Sequence, residues 1–227
     1  MEPLLRIAPY KLRTLNGFRT YVGGTALSRK PVSFEMALHQ AEALEKKGSA
    51  EEVKSYALSE DDIRRMIPTL RIKSYPEILQ AQTLDDILDD KGRLILLYLT
   101  VDQSTGHWVC LLKRRGTKVV EFFDPYGKYG PDDEGEWNTK RKQKEFGQDT
   151  KHLSKLIRES PYKLVVNKTH FQKSQMDNNT CGRHCVTRLY LKHLSLPQYT
   201  KLIKRAEERG VSADDFVAGF TSYLIGK

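Results

Sequence analysis

Asp177-Asn178-Asn179-Thr180-Cys181-Gly182-Arg183-His184-Cys185 places a cysteine where a polar, turn-forming stretch gives way to a helical pattern. Beyond it, Val186, Leu189, Tyr190 and His193 fall on one stripe of that helix. A thiol at a helix N-terminus sits among backbone N–H groups without intrahelical partners and at the positive end of the helix dipole. Both favour thiolate over thiol. Cys181 is therefore the candidate nucleophile. Cys185, one turn further on, and Cys110, inside a strand pattern, read as buried core cysteines.

Two upstream segments complete the chemistry: Gly106-His107-Trp108 and Phe122-Phe123-Asp124-Pro125-Tyr126-Gly127. Between them lies a hairpin pattern, Trp108 to Leu112, a turn over Lys113 to Thr117, then Lys118 to Phe123. Antiparallel strands joined there bring the start of the first beside the end of the second, so the His107 imidazole can meet the Asp124 carboxylate. Gln175, six positions before Cys181, is an uncharged donor for an oxyanion formed at the thiolate, with the Cys181 backbone N–H as its partner. Base, orienting acid, oxyanion donor and nucleophile thus occur in the order His, Asp, Gln, Cys. His184 competes for the role of base, but a helical neighbour three positions away is poorly aimed at a thiol on the helix cap. Cys181, His184 and Cys185 have the ligand types for zinc; without a C-x-x-C knuckle or a second ligand pair, no metal is expected.

In these residues the chain resembles the cysteine proteases that include the adenovirus maturation protease and the Ulp-type proteases that process SUMO. The likeness covers about residues 55–195. It rests on the seventeen-residue step from His107 to Asp124, the six-residue step from Gln175 to Cys181, and the Gly182 that follows the cysteine. It implies an α+β, papain-like cysteine protease fold with a central, mainly antiparallel sheet flanked by helices. By the same likeness His107 is the general base, Asp124 orients it, Gln175 lines the oxyanion hole and Cys181 attacks; Gly182 and Trp108 are the candidate substrate-binding residues, with Trp108 read alternatively as a core or site-wall aromatic. Details lean toward the viral branch. Ulp-type enzymes usually carry Asp before the cysteine and an N-terminal Trp over the substrate tunnel, whereas Thr180 precedes Cys181 here and no Trp occurs before Trp108. Phe123-Asp124-Pro125-Tyr126-Gly127 looks like the adenovirus enzyme, although that enzyme has Glu at the orienting position. Cys110 and Cys185 match poorly the cysteine that joins its peptide activator.

The 227 residues suit one domain with a sizeable core, and an apolar fraction of 39% excludes disorder throughout. The expected organisation is an N-terminal arm over 1–32 and a protease domain over 33–227. Three cysteines form no disulfide framework, and no N-terminal apolar run suits a signal peptide or a membrane span. An intracellular monomer, in host cytoplasm or nucleus or packaged in a virion and not secreted, is expected. Lys and Arg outnumber Asp and Glu by 38 to 29, a net charge of +9, with clusters at Lys113 to Arg115, Lys140 to Lys144 and Lys201 to Arg205. Such a surface attracts polyanions, and without a base-reading motif any contact with DNA is phosphate-directed and indifferent to sequence. The resemblance adds DNA as an activating surface; the chemistry itself requires no cofactor.

Along the chain, Ser33 caps a helix over Phe34 to Lys47 that Gly48 ends. Ser59-Glu60-Asp61-Asp62 opens a helix to Ile67, and Thr83 opens a short one. Arg93 to Thr100 reads as a strand buried on both faces. Residues 128–150, polar and changing sign, read as an exposed insertion. A helix over Lys151 to Glu159, a strand over Tyr162 to Val166, and helices over Gln198 to Arg209 and from Ser212 to Ile225 complete the pattern. The expected function is a cysteine endopeptidase, a maturation protease of a DNA virus or virus-like element that cuts capsid precursors after small residues such as glycine. A SUMO or ubiquitin-like deconjugating protease is the alternative. A non-catalytic nucleic-acid-binding protein on the same fold is disfavoured because all four residue types are retained.

Overall fold

Five strands, β1 (Arg71–Ser74), β2 (Arg93–Leu99), β3 (Gly106–Lys113), β4 (Val119–Phe123) and β5 (Lys163–Val166), form one sheet in that spatial order. Among the described residues eight helices surround it: α1 (Phe34–Lys46), α2 (Ala50–Ser55), α3 (Glu60–Met66), α4 (Lys140–Glu145), α5 (His152–Glu159), α6 (Cys181–Tyr190), α7 (Leu196–Glu207) and α8 (Ala213–Ile225). The computed structural model describes residues 32–135, 138–175 and 177–225. The expected arm over 1–32 lies, apart from Val32, outside the described residues.

The apolar run at β2 is buried at every position, and strand alternation divides it between two cores. Ile95, Leu97 and Leu99 join Trp108, Cys110 and Leu112 of β3 on the face covered by α6, α7 and α8. Leu94, Leu96 and Tyr98 join Val109 and Leu111 on the opposite face, under α5 and the short 3-10 turns between β1 and β2. The fold is thus α+β, with helices on both faces of the sheet.

The sheet is mixed rather than mainly antiparallel. β2–β3 and β3–β4 are antiparallel, and the outer pairs β1–β2 and β4–β5 are parallel. Parallel neighbours need a crossover, and both crossovers contribute to the second core, through Tyr75, Ile78, Leu84 and Ile87 on one side and Leu153, Leu156 and Ile157 on the other. β1 spans four residues and carries no periodic signal of its own.

Helix starts follow local chemistry. Ser33 accepts the Met36 N–H, and Ser59 and Asp62 complete a capping box. α1 then packs against α8 so closely that a Cβ on Gly219 would lie 2.6 Å from the Ala37 carbonyl oxygen. Residues 128–150 are not a merely exposed insertion. They hold α4, and buried Glu134, Asn138 and Gln148 cluster at the end of β2. The Leu99 N–H donates to Gln148 Oε1 (2.6 Å), and the Leu99 carbonyl accepts from Asn138 Nδ2 (2.9 Å) and Gln148 Nε2 (3.0 Å). The polarity of this stretch therefore satisfies a strand end that water would otherwise have to reach.

Arg188, fully buried on α6, ties that helix to the sheet. It donates to both oxygens of Glu121 on β4 (2.6 and 2.9 Å) and to the carbonyls of Leu191 and Leu194 (both 2.9 Å). Removing one partner of a buried pair strands the other charge. Glu121→Ala is expected to lower unfolding free energy by about 3–5 kcal/mol in urea titration, and Glu121→Leu with Arg188→Met to recover most of it. A loss below about 1 kcal/mol for the single change would contradict this account.

Candidate active site

Cys181 is the first residue of α6, and its helix lies against β3 with Cys185 beside Cys110. The Cys185 thiol donates to the Trp108 carbonyl (3.3 Å), and the Cys110 thiol approaches the Cys185 carbonyl at 3.9 Å. Both are fully buried, and burial holds the Cys185 thiol well above the usual thiol range. The two core cysteines thus tie α6 to β3 one turn after Cys181.

Across the hairpin, β3 and β4 pair Cys110 with Phe123 and Leu111 with Phe122. Continuing that register sets Asp124 opposite Val109 and Tyr126 opposite His107, so His107 and Asp124 meet as diagonal neighbours. His107 Nε2 lies 2.8 Å from Asp124 Oδ1, and the imidazole stacks on the Tyr126 ring at 4.6 Å with planes 10° apart. His107 and Asp124 are buried, and Cys181, 8% exposed, is the least buried of the three cysteines.

Electrostatics favour an ion pair at this site. Burial pulls the His107 imidazole down, but the charge and hydrogen bond of Asp124 and those of Cys181 outweigh it and raise it to about 10. Burial pushes the Cys181 thiol up. The His107 hydrogen bond and charge, with the Trp108 and Gly182 backbone N–H groups, more than reverse this, and the thiol lies below its ordinary value. With Nε2 on Asp124, Nδ1 is the ring nitrogen left for the thiol.

Asp124 is held by its backbone as well as by its neighbours. Its N–H donates to Asn167 Oδ1 (2.9 Å), its carbonyl accepts from Asn167 Nδ2 (2.8 Å), and its Oδ1 also accepts the Tyr126 N–H (2.9 Å). The turn closes with the Gly127 N–H on the Asp124 carbonyl. Gly127 has φ +64°, and a Cβ there would lie 2.0 Å from the Thr169 carbonyl oxygen, so glycine alone suits it. Asn167 carried no signal in the sequence. Tyr126 stood in plain view beside Asp124, with nothing to mark it as the cover of the imidazole.

The remaining expected residues take distinct places. Trp108 is buried, its indole N–H donating to the Leu58 carbonyl (3.1 Å), and its backbone N–H faces the Cys181 sulfur. Gly182 sits where a Cβ would come within 3.1 Å of Trp108 Cδ1 and 3.2 Å of Leu58 Cβ. Gln175 is exposed on the loop entering α6; its N–H donates to the Lys173 carbonyl (3.0 Å) and its carbonyl accepts the Asn178 N–H (3.1 Å). His184 is fully buried and bonded to Asp214 instead, with Nε2 3.0 Å from Asp214 Oδ1 and Nδ1 without a hydrogen-bond partner. Among the described residues no three His, Cys, Asp or Glu side chains converge as a metal site, and no helix is long and apolar enough to cross a membrane.

No protein-family model matches the chain. Over 148 residues it is 38% identical to "Uncharacterized protein V9" of the Sputnik virophage, a stretch that spans 65% of this chain and 83% of that protein. Identity at that level over most of the virophage protein places this chain in one family with Sputnik virophage protein V9.

Proposed function

We propose that the chain is a cysteine endopeptidase with a papain-like fold of the Ulp and adenovirus protease type. The reading rests on one observation, the buried cluster in which Asp124 Oδ1 lies 2.8 Å from His107 Nε2 while the same ring is hydrogen-bonded to the Cys181 thiol. In the proposed reaction the Cys181 thiolate attacks a peptide carbonyl and forms a tetrahedral intermediate. The Cys181 N–H and the Gln175 amide stabilise its oxyanion. His107, held by Asp124, gives its proton to the leaving amine, and water activated by His107 then hydrolyses the thioester. Stacked Tyr126 and the bidentate Asn167 keep the ring and the carboxylate in register.

Membership in a virophage protein's family supports a viral setting, and the proposed substrates are capsid precursors cut after small residues such as glycine. The basic surface would hold the enzyme on genomic DNA without regard to sequence, close to those substrates. The test is a panel of Gly-Gly-X and Gly-X-Gly peptides beside SUMO- and ubiquitin-derived probes, with and without duplex DNA. Cleavage after glycine, with the probes left intact, is expected. Rapid turnover of a probe moves the assignment to deconjugation, and no turnover of any substrate by a chain with reactive Cys181 removes the protease reading.

A further inference from the structure

Asp214, near the start of α8, is far in sequence from every residue of the proposed reaction, yet its buried carboxylate meets the segment that carries two of them. Its Oδ1 accepts from the Thr180 hydroxyl (2.5 Å) and lies 3.0 Å from His184 Nε2; its Oδ2 accepts the Lys173 N–H (3.1 Å). Burial pushes this carboxyl up, but the His184 hydrogen bond and charge, with the bonds from Thr180 and the Lys173 N–H, hold it at about 2. Its place in the first turn of α8 also suits a negative charge.

The loop reached in this way is closed on itself. Gln172 Nε2 donates to the Asn178 carbonyl (2.9 Å) and Asn178 Nδ2 to the Lys173 carbonyl (2.9 Å), while the Gln175 backbone bonds inside the same ring. The Lys173 N–H anchors that ring to Asp214, and the hydroxyl of Thr180, the residue preceding Cys181, is anchored to the same carboxylate. The segments that carry both proposed oxyanion donors, the Gln175 amide and the Cys181 N–H, are therefore tied to one carboxylate. The thiolate and imidazolium have other partners, the Trp108 and Gly182 N–H groups at the Cys181 sulfur and Asp124 at His107.

We infer that Asp214 is a positioning residue that sets the oxyanion donors of Gln175 and Cys181 relative to each other without creating the Cys181–His107 ion pair. The inference rests on the protease reading. A displacement of about 1 Å in such donors costs on the order of 100-fold in rate. Asp214→Asn turns an amide N–H₂ or loses an acceptor toward one of three donors, and Thr180→Val removes one donor at nearly constant volume.

The experiment measures three quantities on each purified full chain: kcat and KM for a peptide cleaved by the wild type, affinity for the matching peptide aldehyde, and the rate and pH midpoint of Cys181 alkylation by iodoacetamide. Asp214→Asn is expected to lower kcat about 10- to 100-fold with little change in KM, and to weaken the aldehyde by a similar factor. Alkylation should stay within about twofold of wild type, as expected when only the oxyanion donors move. If Asp214→Asn does not fold, Thr180→Val carries the same expectation at about 10-fold, with Thr180→Ser restoring the rate. Unchanged kcat in the folded variants, or alkylation falling in step with kcat, overturns the inference. A wild type that alkylates but cleaves nothing overturns the protease reading and this inference with it.

Discussion

Cys181→Ala is expected to abolish peptide cleavage, a loss on the order of 10⁵- to 10⁶-fold in kcat, and to take no label from a peptide-based thiol electrophile. The chain keeps two other thiols, but Cys110 and Cys185 have no exposed surface, and burial holds the Cys185 thiol in its protonated form. Only Cys181 combines access with the His107 hydrogen bond and two backbone N–H groups that stabilise its thiolate. Mass spectrometry of the labelled wild type should place the adduct on Cys181, and labelling of Cys181→Ala at the wild-type rate would refute the assignment.

His107→Ala is expected to lower kcat by about 10⁴-fold and to change the pH dependence of the thiol. In the wild type the thiol lies below its ordinary value, so alkylation rises with pH through that lowered value. Without the imidazolium the burial penalty remains while its largest compensation is lost, so the rise moves to more alkaline pH. Cleavage by the wild type should fall again as pH rises through about 10, where His107 loses the proton it gives to the leaving amine. A pH series of alkylation and of kcat/KM checks both limbs. If His184→Gln produced the alkaline shift and His107→Ala did not, the base would be His184, despite its bond to Asp214.

Much of the frame was legible because its determinants are local. Ser33 and Ser59 announce their helices through hydrogen bonds that span three residues, and the caps form as expected. The unbroken apolar run from Arg93 can be solvated on neither face, so it had to be an interior strand. The position of Cys181 at a helix start follows from the change of pattern around it. The hairpin spacing was enough to bring His107 to Asp124, though as diagonal rather than facing neighbours.

Other features depend on contacts that no window of sequence contains. The direction of β1 and β5 is set by crossovers that settle on one face of the sheet, which turns an expected mainly antiparallel sheet into a mixed one. Glu134, Asn138 and Gln148 looked like solvent-facing residues until the end of β2 supplied partners for Asn138 and Gln148, and those two for Glu134. By itself the sequence determined the helix starts, the interior strands and the residue types of the site, because dihedral preference, capping and strand alternation act over a few positions. The tertiary structure alone decided that Asn167 grips Asp124, that Tyr126 covers His107, and that Asp214 gathers Lys173, Thr180 and His184 from thirty or more residues away. A buried polar group takes whatever partner the packing brings within about 3 Å, and that partner is chosen by the fold of the whole chain rather than by its neighbours in sequence.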